Sequence, residues 1–248
     1  MLKLALPNGS LQENTLRLLK HAGMEIQPNG RCGHGISQDS IFSDIIFTRP
    51  QAIPRLVEKC VCDVGICGMD CVLEHGRWEY PAKSKKWSQI YGSTLFIAAE
   101  LPYSKKSLQS ARIVLIGKYE KVTDGPELLN LLQGSRVYSE YPRWTKDDLC
   151  DSVHNITVIP SPGSTEMHVP LEFPLGICIS ETGETIEKNG LRIISVLAQS
   201  PVAVITNSRI NVGYGENAHK KLQVQAFANR LLEAFAALKK EENKKTAL

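Results

Sequence analysis

The chain has 248 residues, of which 42% are apolar and 22% charged, the composition of an ordinary globular protein with enough interior to fold without disulfide or metal staples. Lys and Arg number 29 against 26 Asp and Glu, a net charge of +3, and much of the excess lies in Lys239, Lys240, Lys244 and Lys245 beside Glu241 and Glu242. That tail reads as a solvated helix end, which argues against a nucleic-acid partner, and no run approaches the roughly 18 apolar residues of a membrane span. A cytoplasmic protein is expected.

In chain order, Leu2 to Leu6 reads as a buried strand and Pro7-Asn8-Gly9 as a turn. Ser10 to Glu13 has the S-x-x-E form of a capping box, opening a helix. A second strand and helix run through Ile41 to Phe47 and then Ile53, Leu56 and Val57; a third pair covers Val61 to Ile66 and Met69 to Leu73. Strands alternating with helices at these intervals imply parallel pairing through right-handed crossovers.

The polar stretch Lys83 to Lys86 suggests a lobe boundary near residue 90. Beyond it strands are expected at Thr94 to Ala99, Arg112 to Ile116, Arg136 to Ser139, Ile156 to Ile159 and Leu175 to Ile179, with helices at Pro126 to Leu132 and from Thr145. Val224, Phe227, Leu231, Phe235 and Leu238 form an amphipathic helical stripe. The expected division is a first lobe of residues 1–90 completed by about 192–248, and a second lobe of residues 91–191.

Cys60, Cys62, Cys67 and Cys71 crowd into twelve residues, but C-x-C-x4-C-x3-C lacks zinc-like pairing and reads as reduced structural thiols, so no metal-ligand set is assigned from the cysteines. Residues 175–191, LGICISETGETIEKNGL, run from an apolar strand into Thr182-Gly183-Glu184-Thr185 at a helix start. Such a turn presents free backbone N–H groups to a phosphate.

Four separated segments then agree with one family: LALPNGSLQ at 4–12, FTRPQAIPRLVEKCVCDVGICGMDCVLE at 47–74, GSTE at 163–166 and ETGETIEKNGL at 181–191. Together they resemble ATP phosphoribosyltransferase, the glycosyltransferase that begins histidine biosynthesis. The resemblance implies an α/β, two-lobed fold like the type II periplasmic binding proteins, with a ligand cleft between the lobes. It implies transfer of phosphoribose from phosphoribosyl pyrophosphate to ATP with release of pyrophosphate, and Mg2+ as cofactor. The chain ends soon after the closing helix, as in short forms that assemble with a histidyl-tRNA-synthetase-like regulatory subunit; a homo-oligomer is the other expectation.

By motif position, Glu166 is the catalytic candidate, orienting ribose hydroxyls or the metal. Thr182, Gly183, Glu184 and Thr185 are the phosphate-binding candidates, and Arg49, Asp70 and Arg31 the further substrate-binding ones. Departures from the family pattern stand beside these matches. Asn8 and Ser10 replace two cations, Pro174 and Cys178 replace two acids, Glu140 precedes Tyr141-Pro142 where lysine is frequent, and Glu184 adds a carboxylate to the turn. Residues 112–133 look like an ordered insertion. Loss of complementary charge gives the alternative expectation: a catalytically impaired, divergent paralogue serving as a nucleotide-binding or regulatory subunit.

Overall fold

The computed structural model describes residues 1–30, 33–76, 78–79, 88–89, 94–105, 107–119, 126–149 and 155–246. The two main sheets are built from β1 (Leu2–Pro7), β2 (Phe42–Thr48), β3 (Val64–Gly68), β4 (Leu95–Leu101), β5 (Ala111–Gly117), β6 (Arg136–Ser139), β7 (Thr157–Pro160), β8 (Leu175–Ser180), β9 (Arg192–Ser200) and β10 (Val202–Asn207). The helices are α1 (Gln12–His21), α2 (Ile53–Glu58), α3 (Met69–His75), α4 (Pro126–Leu132), α5 (Pro142–Leu149), α6 (Thr165–His168), α7 (Glu184–Lys188), α8 (Ser208–Val212) and α9 (Asn217–Thr246).

Two compact units result. Unit 1 comprises Met1–His75, Gly92–Ser110 and Pro201–Leu248, and unit 2 comprises Gly76–Tyr91 and Ala111–Ser200. In unit 1 the strand order is β2-β1-β3-β10-β4, with β2, β1 and β3 parallel and β10 and β4 antiparallel to their neighbours. Unit 2 repeats the plan as β7-β6-β8-β5-β9. There β7, β6 and β8 are parallel, and β5 and β9 antiparallel. In each sheet the strand that enters from the other unit lies beside the third parallel strand, and the strand that leaves forms the edge.

Why these segments form strands is plain in their burial. Every residue of β3 and of β10 is buried, the continuous apolar run of a strand covered on both faces. The long helix α9 lays Val224, Phe227, Leu231, Phe235 and Leu238 into the unit 1 core, as its stripe predicts. Phe227 meets Phe42 edge to face with ring centroids 5.6 Å apart.

Four expectations are corrected, the first two by long-range pairing. Leu95–Leu101, placed by sequence in the second lobe, pairs with β10 in the unit 1 sheet. Ala111–Gly117 is no insertion but the strand between β8 and β9, with Ile113 to Ile116 wholly buried. The capping box does not form: Gly9–Leu11 winds into a short 3-10 turn, Leu11 becomes the N-cap of α1, and neither cap carries a side-chain hydrogen bond. Thr15 instead donates its hydroxyl to the Leu11 carbonyl at 2.7 Å. Strand β3 begins at Val64 rather than Val61, which is exposed.

Asp63, just before β3, ties unit 1 together. Its carboxylate receives the Lys3 backbone N–H at 2.9 Å and Lys220 Nζ of α9 at 2.6 Å, while its carbonyl accepts the Thr206 hydroxyl of β10 at 2.7 Å. The Asp63 side chain is 9% exposed and that of Lys220 36%, so the pair is partly screened on the lysine side. Asp63→Ala is expected to cost about 2 kcal/mol, below the full value for a buried pair, and to lower the melting midpoint by roughly 4–8 °C in a thermal unfolding experiment.

Candidate active site

In open α/β sheets ligands settle outside the carboxyl ends of the parallel strands, because the loops there converge while the strands themselves are filled by packing. The polar side chains of interest in each unit lie at those ends.

In unit 2 the register pairs Val137 with Leu175, Tyr138 with Gly176 and Ser139 with Ile177. Ser139 then closes β6: its hydroxyl accepts the Tyr141 N–H at 2.9 Å and lies 2.8 Å from the Thr145 hydroxyl, which starts α5 at Pro142, one turn earlier than expected. On the neighbouring strand Gly176 makes room for α6. A Cβ there would fall 2.6 Å from Thr165 Cγ2 and 2.9 Å from Val169 Cγ2, so only glycine lets α6 settle on the sheet. Thr165 is wholly buried as a result, and its hydroxyl donates to Glu140 Oε1 at 3.1 Å and lies 2.9 Å from Ser161 Oγ.

Glu166, the next residue, is half-buried, and no cation pairs with it among the described residues. Burial pushes the Glu140 carboxyl above its usual range and the charge of Glu166 adds to this; the Thr165 hydroxyl and the N–H groups of Thr165 and Ile179 oppose it. Burial, then Glu140, then Glu166 push the Cys178 thiol far up as well. Cys178 is therefore held as a neutral thiol, the reverse of an activated nucleophile. His168, the base nearest it in sequence, is instead 2.9 Å from Glu172 Oε1.

From β8 the chain passes through Glu181, whose carbonyl accepts Arg112 Nη2 at 3.2 Å, into the turn at the start of α7. Gly183 is the N-cap at φ +90°, a left-handed conformation that glycine adopts without strain. Thr182 and Thr185 are exposed, and the Glu184 N–H donates to Thr182 Oγ1 at 3.3 Å. The Glu184 carboxylate, expected to repel a phosphate, is drawn along the helix to Lys188 Nζ at 2.6 Å. An exposed i,i+4 pair of this kind is weak, yet it turns the negative charge toward a cation.

In unit 1 the equivalent strand ends carry Asn8, Arg49 and Asp70. The Arg49 guanidinium overlies the Asn8-Gly9 turn, with Nη1 3.6 Å from where a side chain on Gly9 would begin. Arg49 is exposed and has no carboxylate partner among the described residues. Asn8 Oδ1 is buried without a hydrogen-bond partner. Asp70 is 8% exposed in the first turn of α3 and accepts the Cys71 thiol. Arg31 lies outside the described residues. The structure thus groups Arg49 with the Asn8-Gly9 turn in one unit, and Glu140 with Thr165, the residue before Glu166, in the other. Glu140 is the site residue that motif reading noted only as a departure; its position before Tyr141-Pro142 was the available signal.

Two α/β units of this repeated topology define a type II periplasmic-binding-protein-like chain. The aliphatic sulphonate binding protein SsuA of Escherichia coli matches it with a TM-score of 0.52 at 13% identity, over 99% of this chain and 76% of that one. A chain of the ATP phosphoribosyl transferase (HisG:HisZ) complex from Thermotoga maritima matches with a TM-score of 0.67 at 24% identity, over 96% of this chain and all of that one. The family model for HisG, ATP phosphoribosyltransferase, matches residues 49–232, and the chain belongs to that family. Among curated relatives, the ATP phosphoribosyltransferase of Thermodesulfovibrio yellowstonii is 31% identical over 241 residues, 97% of this chain and 74% of the relative. That of Desulforudis audaxviator is 32% identical over 206 residues, 83% of this chain and 64% of the relative, so the match spans less than two thirds of that relative's length.

Two outcomes check this geometry. Gly176→Ala should lower stability by about 1–3 kcal/mol through overpacking against α6, read by denaturant unfolding. Because the Glu140 carboxyl is raised from 4.5 in the folded chain, folding takes up a proton between that value and the raised one. Its contribution is fully present below the unfolded value and declines as pH rises through the window. Glu140→Gln removes that decline, so unfolding midpoints of the variant relative to wild type should climb with pH there.

Proposed function

We propose that this chain is a phosphoribosyltransferase that joins phosphoribosyl pyrophosphate to ATP, forming phosphoribosyl-ATP and pyrophosphate, the first step of histidine biosynthesis. The observation that carries the reading is the combination, at one end of the unit 2 sheet, of a half-buried Glu166 and an amide-bearing turn at Thr182–Thr185 whose acidic residue is turned to Lys188. A relative using another acceptor base would employ the same groups on the sugar phosphate.

In this reading the backbone N–H groups of the turn, with the Thr182 and Thr185 hydroxyls, hold the 5′-phosphate. The bond from ribose C1 to the pyrophosphate oxygen breaks with its electron pair leaving on pyrophosphate, and a bond forms from C1 to N1 of the adenine. Positive charge develops on the ribosyl centre meanwhile, and the fixed carboxylate of Glu166 is assigned to favour it. Arg49, a cation with no carboxylate on it among the described residues, is assigned to substrate phosphate, and Asp70 to the same strand ends of unit 1.

Glu166 also suits a divalent cation such as Mg2+, which takes one or two carboxylates together with substrate phosphates. When bound, the ion supplies positive charge to the departing pyrophosphate. No helix among the described residues is long and apolar enough to cross a membrane, in keeping with a cytoplasmic enzyme. The HisG:HisZ composition of the T. maritima neighbour makes assembly with a regulatory subunit the expected oligomeric form.

The alternative, a nucleotide-binding subunit without turnover, draws on the neutral Asn8 and Cys178. Following pyrophosphate release from phosphoribosyl pyrophosphate, ATP and Mg2+ separates the two. Turnover is expected, and Glu166→Gln should reduce kcat about 10²–10³-fold, the scale of losing one preorganised electrostatic group. No turnover by folded protein at high enzyme concentration overturns the proposal; nucleotide binding in calorimetry under those conditions would establish the alternative.

A further inference from the structure

The register that ends β6 on Ser139 opposite Ile177 continues for one residue more. Glu140 N donates to Ile177 O at 3.0 Å, which sets Glu140 beside Cys178. Residues paired in this way share a face of the sheet. That face carries α6 and α7: Tyr138, Val169, Phe173, Cys178 and Ile186 form one cluster on it. Glu140 from β6 therefore stands beside a neutral strand residue, and Glu166 on α6 directly follows Thr165, whose hydroxyl donates to Glu140.

A carboxylate offers about four acceptor positions. At Glu140 the Thr165 hydroxyl takes one of them at 3.1 Å. The side chain is only partly buried, and acceptor positions are left for a ligand.

Resting on the phosphoribosyl reading above, we propose that Glu140 is a second substrate-binding carboxylate of unit 2, accepting a sugar hydroxyl beside Glu166, and that position 178 takes an uncharged residue in place of an acid because Glu140 stands next to it. A carboxylate on β8 at position 178 would stand level with the Glu140 carboxylate, like charge beside like charge on one face of the sheet. Supplied from β6, the same charge arrives with the Thr165 hydroxyl already donating to it. The ligand class is a sugar phosphate with free ring hydroxyls, and a deoxy analogue should lose the Glu140 contact.

A double-mutant cycle on the full chain tests this, with Glu140→Gln, Cys178→Asp and the pair combined, read by thermal unfolding and by calorimetry with phosphoribosyl pyrophosphate. Glu140→Gln should weaken binding by about tenfold to a hundredfold, the range for a hydrogen bond to a charged group. Its melting midpoint should stay within about 3 °C of wild type or rise, which separates lost affinity from lost structure.

Cys178→Asp should lower the midpoint by on the order of 10 °C, and the double variant should recover most of that loss together with binding to within about tenfold of wild type. If Cys178→Asp does not fold alone, recovery of folded protein in the double variant is the same result. Additive losses in the cycle, failure of both Asp variants to fold, or unchanged affinity of Glu140→Gln would each overturn the inference. If the wild-type chain binds no phosphoribosyl pyrophosphate, the phosphoribosyl reading falls and the substrate role of Glu140 with it; the stability cycle still decides whether Glu140 dictates a neutral residue 178.

Discussion

The parallel ladder between Arg136–Ser139 and Leu175–Ser180 is the constraint on which the unit 2 site depends. A single register decides that Gly176 lies where α6 must approach and that Glu140 comes level with Cys178. A slip of one strand by one residue would turn that strand's side chains to the opposite face. Gly176 would then no longer lie beneath Thr165, and the only hydrogen bond from α6 to Glu140 through a side chain would be lost. Packing and chemistry are specified by the same backbone contacts, so neither can vary alone.

Charge at the site is best understood through position rather than count. By motif comparison alone the chain has lost acids at Pro174 and Cys178 and gained one at Glu184, which points to a weakened sugar-phosphate site. In three dimensions the gained carboxylate is directed to Lys188, and Glu140 brings a carboxylate to the flank of Cys178. An ion pair between exposed side chains contributes little stability, but its geometric effect on where the negative charge sits does not depend on that strength. Burial matters more for Cys178: a thiol held neutral by desolvation fits between two carboxylates where a third charge would not.

Local pattern made part of this molecule legible. The stripe of α9 has a period that only a helix satisfies, and it is buried as written; the apolar runs of β1 and β3 likewise became central strands. The turn at Thr182–Thr185 and Glu166 were found because their residues are contiguous in the chain. What escaped was set by partners far away in sequence. Leu95–Leu101 has nothing local to show that it belongs with Val202–Asn207, and the run Ile113 to Ile116 does not announce that it fills the space between β8 and β9. Ser10 failed as a cap for a different reason: the chain turns into a 3-10 helix from Gly9, so Ser10 is already inside the coil and its hydroxyl cannot reach back to the first free N–H groups. The Glu140–Cys178 neighbourhood belongs to the long-range kind, since 38 residues of chain separate two side chains that one ladder step joins.

The repeated topology explains why candidate groups collect at the same place in both units. Three parallel strands leave their carboxyl ends open, and the entering antiparallel strand closes the other side of each sheet. The chemistry placed there differs between the units. Unit 1 presents, over a glycine turn, a guanidinium with no carboxylate on it among the described residues, and at Asn8 a buried amide oxygen with no hydrogen-bond partner among them. Unit 2 presents two carboxylates and the N–H groups of a helix start. With the neutral Asn8 in the turn, the Arg49 guanidinium that overlies it supplies the positive charge at the described strand ends of unit 1, and the phosphate role proposed for unit 1 falls on that side chain rather than on the turn beneath it.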